Sequence, residues 1–577
     1  MKLILKEYLA SLKERGDLDK ALLPNLLSAM GLQVLKTPMI GTRQDGVDIS
    51  AVGQLPDDDQ KYLYLLCVKA GDVGRNDWDA GPQSVRPELQ EILDVYIGSK
   101  IAKEHQDLPI KICLCMGGEL KETVEGNWAG FTQKNATSKV CFELWNGDRL
   151  AGFMEKSLLA RELLDEAARR AFQKALAMVN EPEACYEYTR SLVAIILPQK
   201  NLKDKERLLR LRQAYICLHA ICAWAVEAKS LDVVYRVTEL GLLFCWDAMR
   251  DQPIKPKPTK HQVALTEVLD QYVRLYLMMS EMYFEKVLYP HAETLHALTV
   301  SVKSREAVDA NLAMFELLGR AATRAIWTDL FGKVLSEANP DFARSLSAQT
   351  SKMLDMLVAL INNNPTLGAP FKDDHMIEAA LVMYLAQQTS SGRRFMPWFH
   401  AMAENTSFAL LTNASYPTCF RDYNDLLAHP ANNEQEYRDE ACVGSILYPY
   451  LFVWLQYGAE QSFVEEFSRR LSQRIPNCTH QAWFPDEETD QKVWRGDTYN
   501  GICVTDLSPS RGHAEIAGTL NLAIKECGAI FEMTAMKRGL VPLFLTACRH
   551  YRLPIPPTLW MPPQSNSDVV QVEPHSE

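Results

Sequence analysis

Two architectures are predicted along one chain of 577 residues. The first is an α/β domain over residues 1–155, a mixed sheet flanked by helices. The second is a large all-α array of helical hairpins. Three observations predict this. Up to about residue 155, short apolar strand patterns alternate with helical ones. From about Leu158 nearly every segment carries helical periodicity, and period-two alternation almost disappears.

Leu3 to Leu12 is the first candidate helix. Leu18 to Met30 is the second, with Leu22, Leu23, Leu26, Leu27 and Met30 at helical spacing and Gly31 in the position of a helix stop. LQVLKT, VDISAVG and YLYLLCVKA follow as strands, the last almost wholly apolar and so central. A helix is expected from about Val85 to Lys103, then strands KICLCMG and KVCFELWNG, and a helix opening at DRLAGFMEKS. After the two opening helices the predicted order is β, β, β, α, β, β.

The helical part reads as an array over 156–475, serving as a sensor, oligomerisation or partner-docking region. A mixed irregular and helical stretch covers 476–553, with a short hairpin around Val493 to Val504. The tail, 554–577, is rich in Pro and Ser and is expected to be extended or disordered. Tetratricopeptide-like pieces occur, but no fixed period survives three units.

With 47% hydrophobic and 23% charged residues the composition is globular. A net charge of −12 argues against coating by nucleic acid through bulk charge. Residues 1–160 hold 19 Lys plus Arg and 23 Asp plus Glu, so charge does not mark the first domain as the one that touches DNA. The 14 cysteines are scattered in apolar surroundings, as buried thiols in a reducing compartment would be. MKLILKEYLASLKERGD lacks the apolar core and cleavage site of a signal peptide, and the longest apolar runs are too short to span a bilayer. A soluble, cytoplasmic chain with no membrane partner is expected.

One constellation carries chemistry. In GTRQDGVDISAVG, Asp48 opens a strand, and in LLCVKAGDVGRNDW, Lys69 ends the next one, sharing a face with Cys67 by period-two alternation. A carboxylate offers oxygen to a hard cation, and a nearby ammonium stabilises charge on a phosphate. That pairing suits metal-dependent phosphodiester hydrolysis.

These residues resemble the restriction-endonuclease-like (PD-(D/E)xK) superfamily, and within it the Mrr-like branch and the nuclease domains of bacterial anti-phage defence proteins. The likeness rests on LLPNLLSAMGLQVLKTPMIGTRQDGVDI: an apolar helix, a Gly, a strand, a G-x-D turn, then a strand ending in Lys. It covers roughly the first 155 residues. It implies a metal-dependent DNA endonuclease, with Asp48 as metal ligand, Lys69 as catalytic lysine and Mg2+ or Mn2+ as cofactor. It also implies a defence effector acting on DNA and held inactive until triggered through its helical region; a helical array of this kind is in addition expected to assemble the chain as a homo-oligomer. With no P-loop of its own, the chain would work beside a separate ATPase or sensor protein.

The sequence departs from the family at two points. Cys67 stands where the family places Glu, Asp or Gln, and the first helix lacks the usual Glu, having only Asp19 near its start and Glu14 before it. Either a carboxylate has migrated, with Asp45, Asp72 and Asp77 as candidates, or the site is weakened or dead. The backbone carbonyl beside residue 67 is a further oxygen. The alternative function is a catalytically dead scaffold whose helical array binds protein partners. A second carboxylate near Asp48 that faces Lys69 would favour the enzyme.

Other candidates have plainer readings. Lys203, Arg207 and Arg210 share a helix face that could meet phosphates or simply be solvated. Trp78, Trp128 and Trp145 could stack on bases or pack in the core. His219 lies in an apolar helix, and Arg511 to Ile516 reads as a capped helix start.

Overall fold

The computed structural model describes residues 2–12, 17–38, 44–81, 83–159, 164–199, 202–253, 257–497 and 501–561. The chain divides into two compact units, Met1–Tyr283 and Phe284–Glu577. The division falls within the long helix Lys260–Val287, well beyond the last strand of the sheet.

The first unit opens with helix α1 (Lys2–Ser11), then a π-type turn (Asp17–Leu22) running into α2 (Leu23–Ala29). Gly31, at φ +85°, turns the chain out of the helix. Strands β1 (Gln33–Lys36), β2 (Ile49–Gly53), β3 (Tyr62–Lys69), β4 (Ile110–Met116) and β5 (Val140–Trp145) form one sheet in chain order. β1, β2 and β3 run antiparallel; β3, β4 and β5 run parallel. The mixed sheet expected from sequence is therefore present, with β3 central and almost wholly buried.

Between β3 and β4 lie α3 (Arg75–Asp79) and α4 (Val85–Glu91), the latter continuing helically through Ser99. Between β4 and β5 lies α5 (Glu122–Asn135), a helix absent from the predicted order. Its sequence, ETVEGNWAGFTQKN, carries two glycines and only one fully buried residue, Val124, so its periodicity is weak. The parallel β4–β5 pair still requires a crossover connection, and α5 provides it. After β5, α6 (Gly147–Leu159) returns over the sheet and packs on α1.

The two sheet faces are dissimilar. One buries Leu63, Leu65, Cys67, Ile112 and Leu114 beneath Val85, Leu89 and Ile92 of α4 and Val124 of α5. On the other, Tyr64 meets Trp145, and Trp145 meets Phe153 of α6. Trp78 and Trp145 are thus core residues, and Trp128 packs edge-on against Phe142. None of the three is a free stacking platform for bases.

The rest of the first unit is helical, from Glu166–Ala177 through Pro182–Ile196, Asp204–Glu227 and Leu231–Met249 into Lys260–Val287. These are not detached from the sheet domain. Asn25 Nδ2 donates to Gln271 Oε1 at 2.8 Å in a buried contact, and Arg212 donates to Ser28 Oγ at 2.9 Å. Arg207 is buried and donates to the carbonyl of Leu202, while Arg210 donates to that of Ile196 at the end of the preceding helix, so neither guanidinium is simply solvated.

The second unit is also mainly helical. Its small strands differ from the expected hairpin: Val493–Arg495 is a helical turn, and Ile502–Val504 pairs antiparallel with Ala482–Phe484. The early tail is not extended either, because Pro557–Trp560 is helical and Trp560 is fully buried against Tyr450 and Trp454. The tail beyond residue 561 lies outside the described residues. No helix among the described residues is long and apolar enough to cross a membrane.

Candidate functional site

The G-x-D turn, the end of β3 and the start of α4 meet at one end of the sheet. Ile49 pairs with Leu66, so extending the antiparallel register by one residue sets Asp48 opposite Cys67. The backbone confirms this placement: Asp48 N–H donates to Leu66 O at 2.9 Å, and Val68 N–H donates to Asp48 Oδ2 at 2.7 Å. Asp48 is buried, with 3% of its surface exposed.

The third participant is Glu88, on the first turn of α4. Its Oε2 accepts from Lys69 Nζ at 2.7 Å and from the Cys67 thiol at 3.0 Å. Lys69 Nζ also donates to Gln83 O at 2.7 Å, which ties the lysine to the loop leading into α4. Ligand atoms of Asp48, Cys67 and Glu88 lie within 4.8 Å of one another, and among the described residues they form the only such group of three or more His, Cys, Asp or Glu. A second carboxylate therefore stands beside Asp48 and faces Lys69.

Holding Glu88 there has a physical cost. A buried carboxylate without a partner is destabilising by several kcal/mol. Here the Lys69 ammonium pairs with it, both side chains being little exposed at 13% and 11%. Val85, Leu89 and Ile92, on the same helix face and fully buried, each contribute about 1.5–3 kcal/mol of burial. Those three anchors hold the helix, and with it the carboxylate, against the sheet.

The glycine of G-x-D has a specific role. Gly46 adopts φ +78°, and a Cβ there would lie 2.1 Å from the carbonyl oxygen of Glu88 and 2.9 Å from Ile92 Cγ1. The motif's glycine lets the turn bearing Asp48 touch the helix bearing Glu88. Lys36, on β1, holds the turn from the other side, donating to Val47 O at 2.9 Å and Gln44 O at 3.3 Å. Burial lowers the Lys36 pKa from its usual value, with Asp48 and Asp45 opposing the shift. For Cys67, burial and then the Glu88 charge push the thiol well above its ordinary range.

The structure corrects the candidates for a migrated carboxylate. Asp72 is half exposed, accepts from Glu119 N–H at 2.9 Å and sits 3.9 Å from Lys121 Nζ, so it is a turn residue joining two loops. Asp77 accepts from Gly74 N–H and caps α3. Asp45 is close in sequence and buried, at φ +49°, but its carboxylate lies 3.7 Å from Lys100 Nζ and is not in the convergent group. Asp19 is buried on the turn before α2 and is not in the group either, while Glu14 lies outside the described residues. Cys67 enters through its side chain, whose thiol donates to Glu88.

Sequence reasoning missed Glu88 and Lys36. A signal for Glu88 was present: Val85, Leu89, Ile92 and Tyr96 form an apolar stripe, and Glu88, three residues after Val85, falls on it. A carboxylate on an apolar stripe needs a partner across the interface. Comparison with models of known families, with curated proteins and with solved structures found no match to this chain.

Proposed function

We propose that the N-terminal sheet domain is a restriction-endonuclease-like nuclease that hydrolyses phosphodiester bonds in DNA with a divalent cation. The observation that carries this reading is Glu88. The G-x-D and x-x-K pattern lacked a second carboxylate, and α4 supplies one beside Asp48 and on Lys69. The donors fit a cation: two carboxylates and a thiol converge from three elements, with Lys69 at their rim. A bound cation would supply Lewis-acid polarisation of a phosphate oxygen. Asp48 and Glu88 would hold it. Lys69 would set a positive charge where the reacting phosphate gains negative charge. Gln83 O and Glu88 orient that ammonium.

The defence-effector reading extends this proposal. A net charge of −12 disfavours constitutive association with DNA, as suits an enzyme under restraint. The helical regions would sense the trigger, assemble copies of the chain, or dock a separate ATPase or sensor protein. A second reading, a scaffold without catalysis, draws support from Cys67 in a position the family gives to an acid or amide.

The test is cleavage of plasmid and linear DNA by the full chain with Mg2+, Mn2+, Co2+ or Zn2+, with and without the protein of the neighbouring gene. Asp48→Ala and Lys69→Ala variants run alongside. Cleavage that both substitutions abolish supports the nuclease. Cleavage that survives Asp48→Ala, or silence under all of these conditions, favours the scaffold.

A further inference from the structure

We propose that Cys67 is a metal-selecting ligand, and that the Asp48–Cys67–Glu88 centre takes a late first-row divalent cation such as Co2+ or Zn2+ in preference to Mg2+. This rests on the metal-site half of the reading above and not on DNA as substrate.

The geometry points to the thiol as a donor rather than a bystander. Cys67 Sγ lies 3.0 Å from Glu88 Oε2. A sulfur and an oxygen bound to one cation at about 2.3 and 2.1 Å sit roughly 3.1–3.6 Å apart, for angles between a right angle and the tetrahedral value. The pair is therefore nearly at ligand separation already. Asp48 stands opposite Cys67 in the strand register and completes the group. The cysteine is fully buried and held on a central strand, so it cannot swing away to leave an all-oxygen site. On binding, the cation replaces the thiol proton, which leaves to solvent.

Donor chemistry then decides the cation. Mg2+ wants six oxygens in near-octahedral array and binds sulfur poorly. Mixed thiolate and carboxylate donors favour cations later in the first row, in the order Mn2+, Fe2+, Co2+ up to Zn2+ and Cu2+. Three protein donors leave open positions, as catalytic rather than structural sites do. The β4 thiols, Cys113 and Cys115, alternate with Ile112, Leu114 and Met116 and face away from this core, so Cys67 is the sulfur of the site.

Full-length protein stripped of metal should develop sulfur-to-cobalt charge-transfer absorption in the near ultraviolet when titrated with Co2+ alone. Cys67→Ser should remove that band and weaken Co2+ binding about tenfold or more. Cys67→Asp should also remove the band and strengthen Mg2+ binding, measured by calorimetry, by a similar factor. Glu88→Gln keeps the sulfur and should weaken Co2+ while leaving residual thiolate absorption. Zn2+ should displace the Co2+, and an equal amount of Mg2+ should not. A band that survives in Cys67→Ser, or Co2+ displaced by equal Mg2+, would overturn the proposal. A Cys67-dependent band without DNA cleavage would uphold this inference and favour the scaffold over the nuclease. Mg2+-driven cleavage with no band would do the reverse.

Discussion

Each compact unit sets carboxylates beside cationic side chains, and the two arrangements differ in what lies between the charges. In the second unit guanidinium groups separate the acids. Glu316 Oε1 meets Arg320 at 2.8 Å and Arg549 at 2.7 Å. Arg552 bonds both oxygens of Glu378 and lies 3.0 Å from Asp374, which Lys372 also approaches. Burial would raise the Glu316 carboxyl, yet Arg320, Arg549 and Arg552 together hold it well below the usual range. Among the described residues none of those acids joins a convergent donor group. In the first unit the donor atoms of Asp48, Cys67 and Glu88 converge, and the cation that pairs with Glu88 is a lysine ammonium, Lys69, rather than a guanidinium. Proximity of ion-paired acids is therefore a poor sign of a metal site. Convergence of donor atoms without an intervening guanidinium is the better one.

That contrast can be broken at either end. The largest effect on stability is expected in the second unit. Arg552→Met strands Glu378, which is wholly buried, and should cost about 3 kcal/mol in urea unfolding. Burial, opposed by Arg552, already pushes the Glu378 carboxyl up to about 7; without Arg552 it protonates at a higher pH still, so the loss should shrink as pH falls toward 7 and be smallest below it. Adding Glu378→Leu to Arg552→Met should recover most of it. If the single variant unfolds no more easily than the parent, the network is not structural.

In the first unit the expected pattern is reversed. Glu88→Gln keeps the shape and an oxygen acceptor for Lys69, and should cut cleavage roughly 10²–10³-fold, with a smaller cost in unfolding than Arg552→Met. A loss of fold without a specific loss of activity would make Glu88 a structural acid like Glu316. Gly46→Ala sharpens the comparison further. Its Cβ must push the Glu88 carbonyl aside, so we expect about 1–3 kcal/mol of destabilisation, together with weaker cation binding by calorimetry. Unchanged cation affinity in this variant would break the link between the G-x-D turn and α4.

The smallest effect concerns His219, which is fully enclosed in the first unit and stacks edge-on with Tyr215. Burial pushes its pKa down to about 3. Below about pH 6.5 the unfolded chain binds a proton that folded His219 does not, so stability falls as pH drops from there toward 3, by of order 1 kcal/mol per pH unit. Thermal melts of His219→Gln between pH 7 and pH 5 should lose less stability than the parent. Equal losses would mean that other groups set the acid sensitivity.

Much of the sheet was legible because its signals are local. β3 reads as a continuous apolar run, and Asp48 and Lys69 mark the ends of adjoining strands. The centre was legible only in part, since Glu88 lies 40 residues beyond Asp48 and is brought in by a helix docking on the sheet. Local spacing along the chain favours near neighbours such as Asp45 and Asp72, whereas the fold selects by face. Helix α5 was hidden by its glycines, and the pairing of Ile502–Val504 with Ala482–Phe484 by the loop between them. Trp560 shows the same limit: a Pro- and Ser-rich stretch reads as tail, yet one aromatic side chain is enough to anchor it.

The most direct test of the central claim, that Asp48 and Glu88 act together on one cation, is a double-mutant cycle on DNA cleavage. Asp48→Asn, Glu88→Gln and the double variant would be compared with the parent under single-turnover conditions, in the cation that best supports the parent. Residues that serve one cation are not additive, so the double variant should be about as inactive as the worse single variant. Losses that multiply, or a Glu88→Gln enzyme as fast as the parent, would contradict the account.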